Sequence, residues 1–166
     1  MARSAVMNFM KQQGFAPEQP DRAALRFKGL LFQPTIVGSM MLVAILTQSP
    51  AIFLLFSAIL WLNVVAPAAN PFERFYNRFV ARSRGRPLLT KAPGPRRFAQ
   101  GMAATFMLAA GLSLLEGWRT ASYAFQGLIA VAFAALLFGK FCLGAYVYHL
   151  LRGNVALANG TCPWSD

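Results

Sequence analysis

Four long blocks of apolar residues, separated by polar segments, dominate the chain; they span residues 29–48, 51–69, 98–118 and 121–151. Each block is close to or above the roughly 20 residues that a helix needs to cross about 30 Å of hydrocarbon. Short polar turns join the first block to the second and the third to the fourth. The pattern therefore predicts an all-α integral membrane protein whose four transmembrane helices form two hairpins, in a membrane domain over residues 29–151.

Three polar segments lie outside these blocks. A leader spans residues 1–28, a loop connects the two predicted hairpins, and a tail spans residues 152–166. Gly14, Pro17 and Pro20 interrupt the leader, so we expect it to have little regular structure. We expect both the leader and the tail to be cytoplasmic extensions of the membrane domain.

The connecting loop predicts one helix and one linker. Asn70-Pro71-Phe72-Glu73 combines an N-cap, a proline at the first helical position and a capping-box acid. Aromatic residues then recur at helical spacing, with arginines on a different face. These residues are Phe72, Phe75, Tyr76 and Phe79, and Arg74, Arg78 and Arg82. We predict an amphipathic helix over 71–83 in the lipid headgroup layer, with packing on the bundle ends as the alternative, and an extended linker over 84–97.

The basic residues predict how the helices are oriented. The chain has 16 Lys and Arg residues against five acids, a formal net charge of +11. The leader and the connecting loop hold most of these cations, whereas the two hairpin turns hold only Arg119. The positive-inside rule therefore places both termini in the cytoplasm. Because this placement explains the charge, we expect no nucleic-acid partner.

Small residues predict where the helices pack. Close backbone approach holds transmembrane helices together, because lipid tails are as apolar as leucine. In the third block, small residues recur every four positions, and the fourth block offers two small-residue pairs. The predicted packing residues are Gly101, Thr105, Ala109, Ser113 and Gly117, with Ala130, Ala134, Ala135 and Gly139.

Acidic residues give little sign of chemistry inside the membrane. Four of the five lie outside the predicted spans, and Glu116 lies at a boundary. The pattern therefore disfavours proton-coupled transport, which usually needs carboxylates or histidines at membrane depth.

The remaining candidates are one histidine and two cysteines. His149 is a candidate axial ligand, but a single histidine excludes a haem held by two histidines of this chain. Cys142 and Cys162 are candidate thiols; together with His149 they lack the spacing and the fourth ligand of a zinc site, so no metal site is predicted. We predict no cofactor and expect bound lipid. Contact with a pigment or haem through a partner stays open.

Two short motifs resemble a known family. Phe141-Cys142-Leu143-Gly144-Ala145-Tyr146 and the segment Arg97-Phe98-Ala99 are similar to motifs of uncharacterised bacterial membrane proteins catalogued as domain of unknown function four-three-nine-five. The resemblance covers roughly residues 26–152 and implies a location in a bacterial inner membrane. The family motif has two cysteines spaced Cys-x-x-Cys, which implies dithiol redox chemistry or metal handling. This chain has Ala145 at the second position, and one thiol cannot close a local disulfide.

Three functions fit these patterns. The first is a non-catalytic accessory or scaffold subunit that packs with other membrane subunits in a larger complex of respiratory or photosynthetic type. The second is a thiol-dependent membrane redox or sulfur-handling protein that uses Cys142. The third is a passive channel or carrier for small solutes. The sparse chemistry favours the first, non-enzymatic function.

Overall fold

Helices form the secondary structure of the computed structural model, which describes residues 3–16 and 19–162, and those residues contain no strand. The all-α prediction is confirmed. The α-helices are α1 Arg3–Gln12, α2 Pro20–Leu30, α3 Phe32–Thr47, α4 Pro50–Val65, α5 Pro71–Phe75, α6 Gly94–Leu115, α7 Arg119–Leu137, α8 Leu143–Leu151 and α9 Val155–Asn159. A 3₁₀ turn, Pro67–Ala69, follows α4, and a π-helical segment, Tyr76–Ala81, continues α5.

Short turns join α3 to α4 and α6 to α7. Gln48 adopts a left-handed conformation that ends α3, and Pro50 begins α4 at a position where its missing N–H is no loss. Gly117 makes the corresponding left-handed turn after α6. Helix α6 is central, because it packs against α4, α7 and α8.

Three helical stretches are long and apolar enough to cross a membrane: Asp21–Thr47 (which comprises most of α2 and all of α3), Gly94–Leu115 (α6) and Arg119–Leu137 (α7). Helix α4 is apolar but has only 16 residues. At about 1.5 Å per residue it is shorter than a hydrocarbon core of about 30 Å. The structure therefore identifies three candidate spans where the sequence pattern predicted four.

The predicted continuous helix over residues 121–151 is instead two helices. Helix α7 ends at Leu137, and Lys140 then adopts a left-handed conformation with φ of 52°. The Phe141 N–H donates to the Ala135 carbonyl, which closes the turn. Helix α8 then packs against α6. Hydropathy alone missed this break because the residues on both sides of it are apolar.

The leader is folded, contrary to the expectation of little regular structure. Helices α1 and α2 pack together, and the rings of Phe9 and Phe27 meet edge to face at 5.0 Å. Val6, Phe9 and Met10 lie on one face of α1 and are buried with Tyr76 of the π-helical segment. Their helical spacing was the signal that identifies α1.

The tail also forms a helix within its described part. Helix α9 packs on α8, and Ala158 is buried. Residues 163–166 of the predicted tail lie outside the described residues.

The packing face of α6 only partly matches the predicted small-residue seam. Ser113 is buried and Gly101 and Ala109 are half-buried, whereas Thr105 is exposed and Gly117 lies beyond the end of the helix. A helix has 3.6 residues per turn, so positions four apart drift by about 40° at each step and leave the contact face. The buried face includes positions spaced alternately by four and three residues, namely Gln100, Ala104, Met107 and Gly111, and it also contains Ala110 and Ser113.

The small-residue pairs predicted in the fourth block also lie largely outside the packed interface between helices. Ala130 and Ala134 are exposed, Ala135 is half-buried, and Gly139 lies in the break after α7. Ser122, Gln126 and Ile129 form the buried face of α7.

We predict that Gly144→Ala destabilises the protein while Gly127→Ala does not. A Cβ at Gly144 would lie 2.6 Å from Cα and Cβ of Ala99, at the crossing of α6 and α8, whereas a Cβ at Gly127 would meet nothing within 4 Å. Overpacking of this kind costs about 1–3 kcal/mol. Thermal unfolding in a mild detergent measures the difference. Equal melting temperatures for the two variants would contradict the close crossing.

Candidate functional site

A partly open cavity of about 90 Å³ lies between α3, α6 and α7. Apolar side chains form most of its wall, among them Val37, Phe106, Ile129, Phe133 and Leu136. Its other end is polar. That end comprises Gln13, Gln33, Arg96, Gln100 and Cys142.

Arg96 holds the polar end together. Its side chain is only 4% exposed. One guanidinium nitrogen donates to Gln13 Oε1 at 3.1 Å and another donates to the Leu30 carbonyl at 3.2 Å. Leu30 is the last residue of α2, where helix carbonyls have no intrahelical partner. Arg96 thus joins the start of α6 to the leader and to the end of α2.

Three amide side chains form a second buried network beside Arg96. Asn70 Nδ2 and Gln100 Nε2 both donate to Gln33 Oε1, at 3.1 and 3.2 Å. Asn70 Oδ1 also accepts from the N–H groups of Phe72 and Glu73, so the predicted N-cap of the loop helix is confirmed. Gln100 Oε1 is buried and has no hydrogen-bond partner among the described residues.

Cys142 lies immediately before the first residue of α8. Its own N–H donates to Gln12 Oε1 at 2.9 Å, and its side chain is 5% exposed. Burial raises the pKa of the Cys142 thiol above its ordinary range. The N–H groups of Ala145 and Gly144, the charge of Arg96 and the side chain of Gln13 lower that pKa in part, because each favours the thiolate.

Gln12 connects the backbone of Cys142 to His149. The carbonyl oxygen of Gln12 lies 2.8 Å from His149 Nε2, while its side chain accepts from the Cys142 N–H. Both His149 and Gln12 are buried. Helix α1 therefore covers the segment that contains Cys142.

Glu73 is the carboxyl group whose charge is coupled to Arg96. It is the third residue of α5, and its Oε1 atom is buried with no hydrogen-bond partner among the described residues. Burial raises the pKa of Glu73, and the positive charge of Arg96 offsets part of that rise.

The structure does not join the two candidate thiols. Cys162 follows α9, where its Sγ lies 3.5 Å from the Ala158 carbonyl, and no disulfide connects it to Cys142. Within residues 3–16 and 19–162, no group of three His, Cys, Asp or Glu side chains is placed to hold a metal ion.

A family comparison agrees with the resemblance seen in the sequence. Residues 21–152 match the family described as Domain of unknown function (DUF4395). The chain belongs to this family. No curated protein and no solved structure matches it.

In this member of the DUF4395 family, Ala145 stands at the second position of the cysteine motif and has a structural role. Ala145 is fully buried and its N–H faces the Cys142 thiol. The resemblance implies a cysteine at this position in other members. In this chain, the group that this position places beside the thiol is a backbone N–H and not a second sulfur.

The predicted lipid-facing aromatic residues do not all share one face in this DUF4395 protein. Phe75 and Phe79 are exposed, Phe72 is half-buried, and Tyr76 is buried against Gly29. The π-helical segment changes the spacing of side chains after Phe75, so the α-helical periodicity fails there. The three arginines of the helix, Arg74, Arg78 and Arg82, are exposed.

Sequence reasoning missed Arg96 and the glutamines of the site. Arg96 was counted only as one of the positive charges that set the orientation. Gln33 and Gln100 carried the signal that could have found the site, because each is a polar residue within or at the edge of an apolar block.

We predict that the rate of Cys142 alkylation, measured in a Cys162→Ser background, continues to rise with pH above the range in which an ordinary thiol ionises. Burial raises the pKa of Cys142. Its thiolate therefore forms at a higher pH than that of a free cysteine, whose pKa is about 8.5. Arg96→Gln should move the midpoint higher still, because the neighbouring cation favours the thiolate. Mass spectrometry after N-ethylmaleimide treatment measures the rate, with Arg97→Gln as the control. A midpoint that Arg96→Gln lowers, or leaves unchanged, would contradict this electrostatic coupling.

Proposed function

We propose that the chain is an integral membrane protein of a bacterial inner membrane that crosses four times, with α4 as the fourth crossing. Helix α4 packs closely along α6, and the 3₁₀ turn to Ala69 extends its apolar stretch. The contact of Gln12 in α1 with His149 in α8 supports a topology with both ends of the chain on one side of the bilayer. An even number of crossings fits this topology, and the positive-inside rule favours the cytoplasm as that side.

We further propose a thiol-dependent function, in which Cys142 reacts with a small lipophilic substrate in redox or sulfur-handling chemistry. The observation that supports it is the position of the thiol, at the polar end of an otherwise apolar cavity and beside a buried guanidinium. Burial keeps the resting thiol protonated, but the charge of Arg96 and the N–H groups at the start of α8 stabilise the thiolate once it forms.

The chemistry open to this site is that of one thiol. A thiolate can attack a disulfide to form a mixed disulfide, releasing the other half of that disulfide as a thiolate, without a second cysteine nearby. The second sulfur then comes from the substrate or from a partner. The replacement by Ala145 is therefore compatible with activity, although it excludes a local disulfide.

We predict that 2,2′-dithiodipyridine forms a mixed disulfide with Cys142 in the folded protein, releasing one pyridine-2-thione for each thiol. The reagent is small, uncharged and aromatic, and it suits the apolar wall of the cavity. Ala132→Phe places a bulky ring in that wall and should slow the reaction at Cys142 but not at Cys162. Absorbance of the released thione, with Cys142→Ser and Cys162→Ser as controls, measures each site. A Cys142 that reacts only after unfolding would refute the thiol function.

The accessory-subunit function is a second proposal, supported by the surface of α7. Only 17% of its most hydrophobic stretch is buried within the chain, against 33% for each of the other two candidate spans. Leu128 and Val131 are among its exposed side chains. Such a face suits a neighbouring transmembrane helix as well as lipid.

We predict that gentle extraction from the native membrane recovers the tagged chain in a larger complex at fixed stoichiometry. A native gel followed by mass spectrometry identifies what co-migrates. Val131→Arg on the exposed face of α7 should release the chain, while Arg119→Gln in the adjacent turn should not. Recovery of the wild-type chain alone would contradict this proposal and leave the thiol function as the account of the site.

A further inference from the structure

Arg96 is a buried cation without a carboxylate bound to it. Its two hydrogen bonds go to neutral oxygen atoms, those of Gln13 and Leu30. Among the described residues, no carboxylate forms an ion pair with it, and Glu73 acts on it only through space. A buried charge held by neutral groups alone is unfavourable, so such a site favours binding of an anion.

The acidic groups of the chain near Arg96 are weak counterions. Burial raises the pKa of Glu73 and of the Cys142 thiol, which favours the uncharged form of each. A ligand that brings its own anionic group would compensate the charge of Arg96 more fully.

The cavity wall is charged at one end and apolar at the other, which matches the head and tail of an amphiphile. Arg96 and Gln100 lie near the start of α6, whereas Ala103 and Phe106 line the cavity further along the same helix. Ten residues of helix separate Arg96 from Phe106, which is about 15 Å. The cavity wall therefore changes from charged to apolar along the helix axis. A lipid-like molecule in one leaflet of a bilayer shows the same change from its head to its tail.

Gln100 adds a second polar requirement at this end. Its Oε1 atom is a buried acceptor with no partner among the described residues, and a buried group of this kind favours a ligand that can donate to it. A carboxylate accepts from Arg96 and so meets the first requirement, and a water molecule beside the head group can donate to Gln100 Oε1.

We propose that the cavity binds a long-chain carboxylate, with its carboxyl group on Arg96 and its chain against the apolar side chains of α3, α6 and α7. The cavity is partly open, so a chain longer than the cavity extends out of it. This site does not depend on any reaction of Cys142. The thiol function and the carboxylate site can therefore be refuted independently of each other.

Dodecanoic acid and dodecanol are matched probes for this site, since they differ only in the head group. Native mass spectrometry of the delipidated protein measures the binding of each. The expected result is one dodecanoate per chain, bound roughly tenfold more tightly than dodecanol, as one charge-assisted hydrogen bond implies. Arg96→Gln should abolish this preference, Arg97→Gln should retain it, and Ala132→Phe should weaken binding of both probes.

Three results would overturn the proposal: equal binding of the two probes to the wild-type protein, a preference that survives Arg96→Gln, or a loss as large in Arg97→Gln. If Arg96→Gln fails to fold, the pH dependence of the wild-type protein decides. The preference should fall as the pH drops below about 4.3, the ordinary carboxyl range, because the dodecanoate head is then neutral. A preference independent of pH would equally refute the site.

Discussion

Burying the guanidinium of Arg96 constrains the arrangement of the helices around it. A cation inside a protein needs oxygen atoms within hydrogen-bond distance, and here they come from Gln13 after α1 and from Leu30 at the end of α2. The leader must therefore fold back over the start of α6. Once it does, Gln12 reaches both the Cys142 N–H and His149, so the same helix also fixes α8.

The break between α7 and α8 brings the Cys142 thiol close to Arg96. A continuous helix over 121–151 would carry Cys142 along a straight line through or past the bilayer surface. Instead, the turn at Lys140 brings α8 against α6, where Gly144 allows backbone contact with Ala99. The thiol, the cation and the polar end of the cavity then share one small volume. Residues of α3 and α6, together with Gln13 after α1 and Cys142 before α8, line that volume.

The apolar blocks predicted α3, α4, α6 and α7 because membrane-length hydrophobic stretches are a strong signal. The break after α7 gave no such signal, since Phe138 and Phe141 are as apolar as the helices beside them. The helical structure of the leader was underestimated because Gly14 and the prolines mark turns but do not exclude helices between them. The role of Arg96 could not be read from the sequence either. A charge beside an apolar block equally fits a solvated end, and only the fold of the leader buries it.

Hydrogen–deuterium exchange in lipid nanodiscs, comparing the wild-type protein with Arg96→Gln, tests whether the buried guanidinium organises the helices around it. We expect slow exchange over residues 5–13 and 143–151 in the wild type. We also expect faster exchange of both segments in the variant, while the backbone of α3 and α4 stays protected. A leader that exchanges rapidly in the wild type, or one that the substitution leaves unchanged, would contradict the organising role of the buried guanidinium.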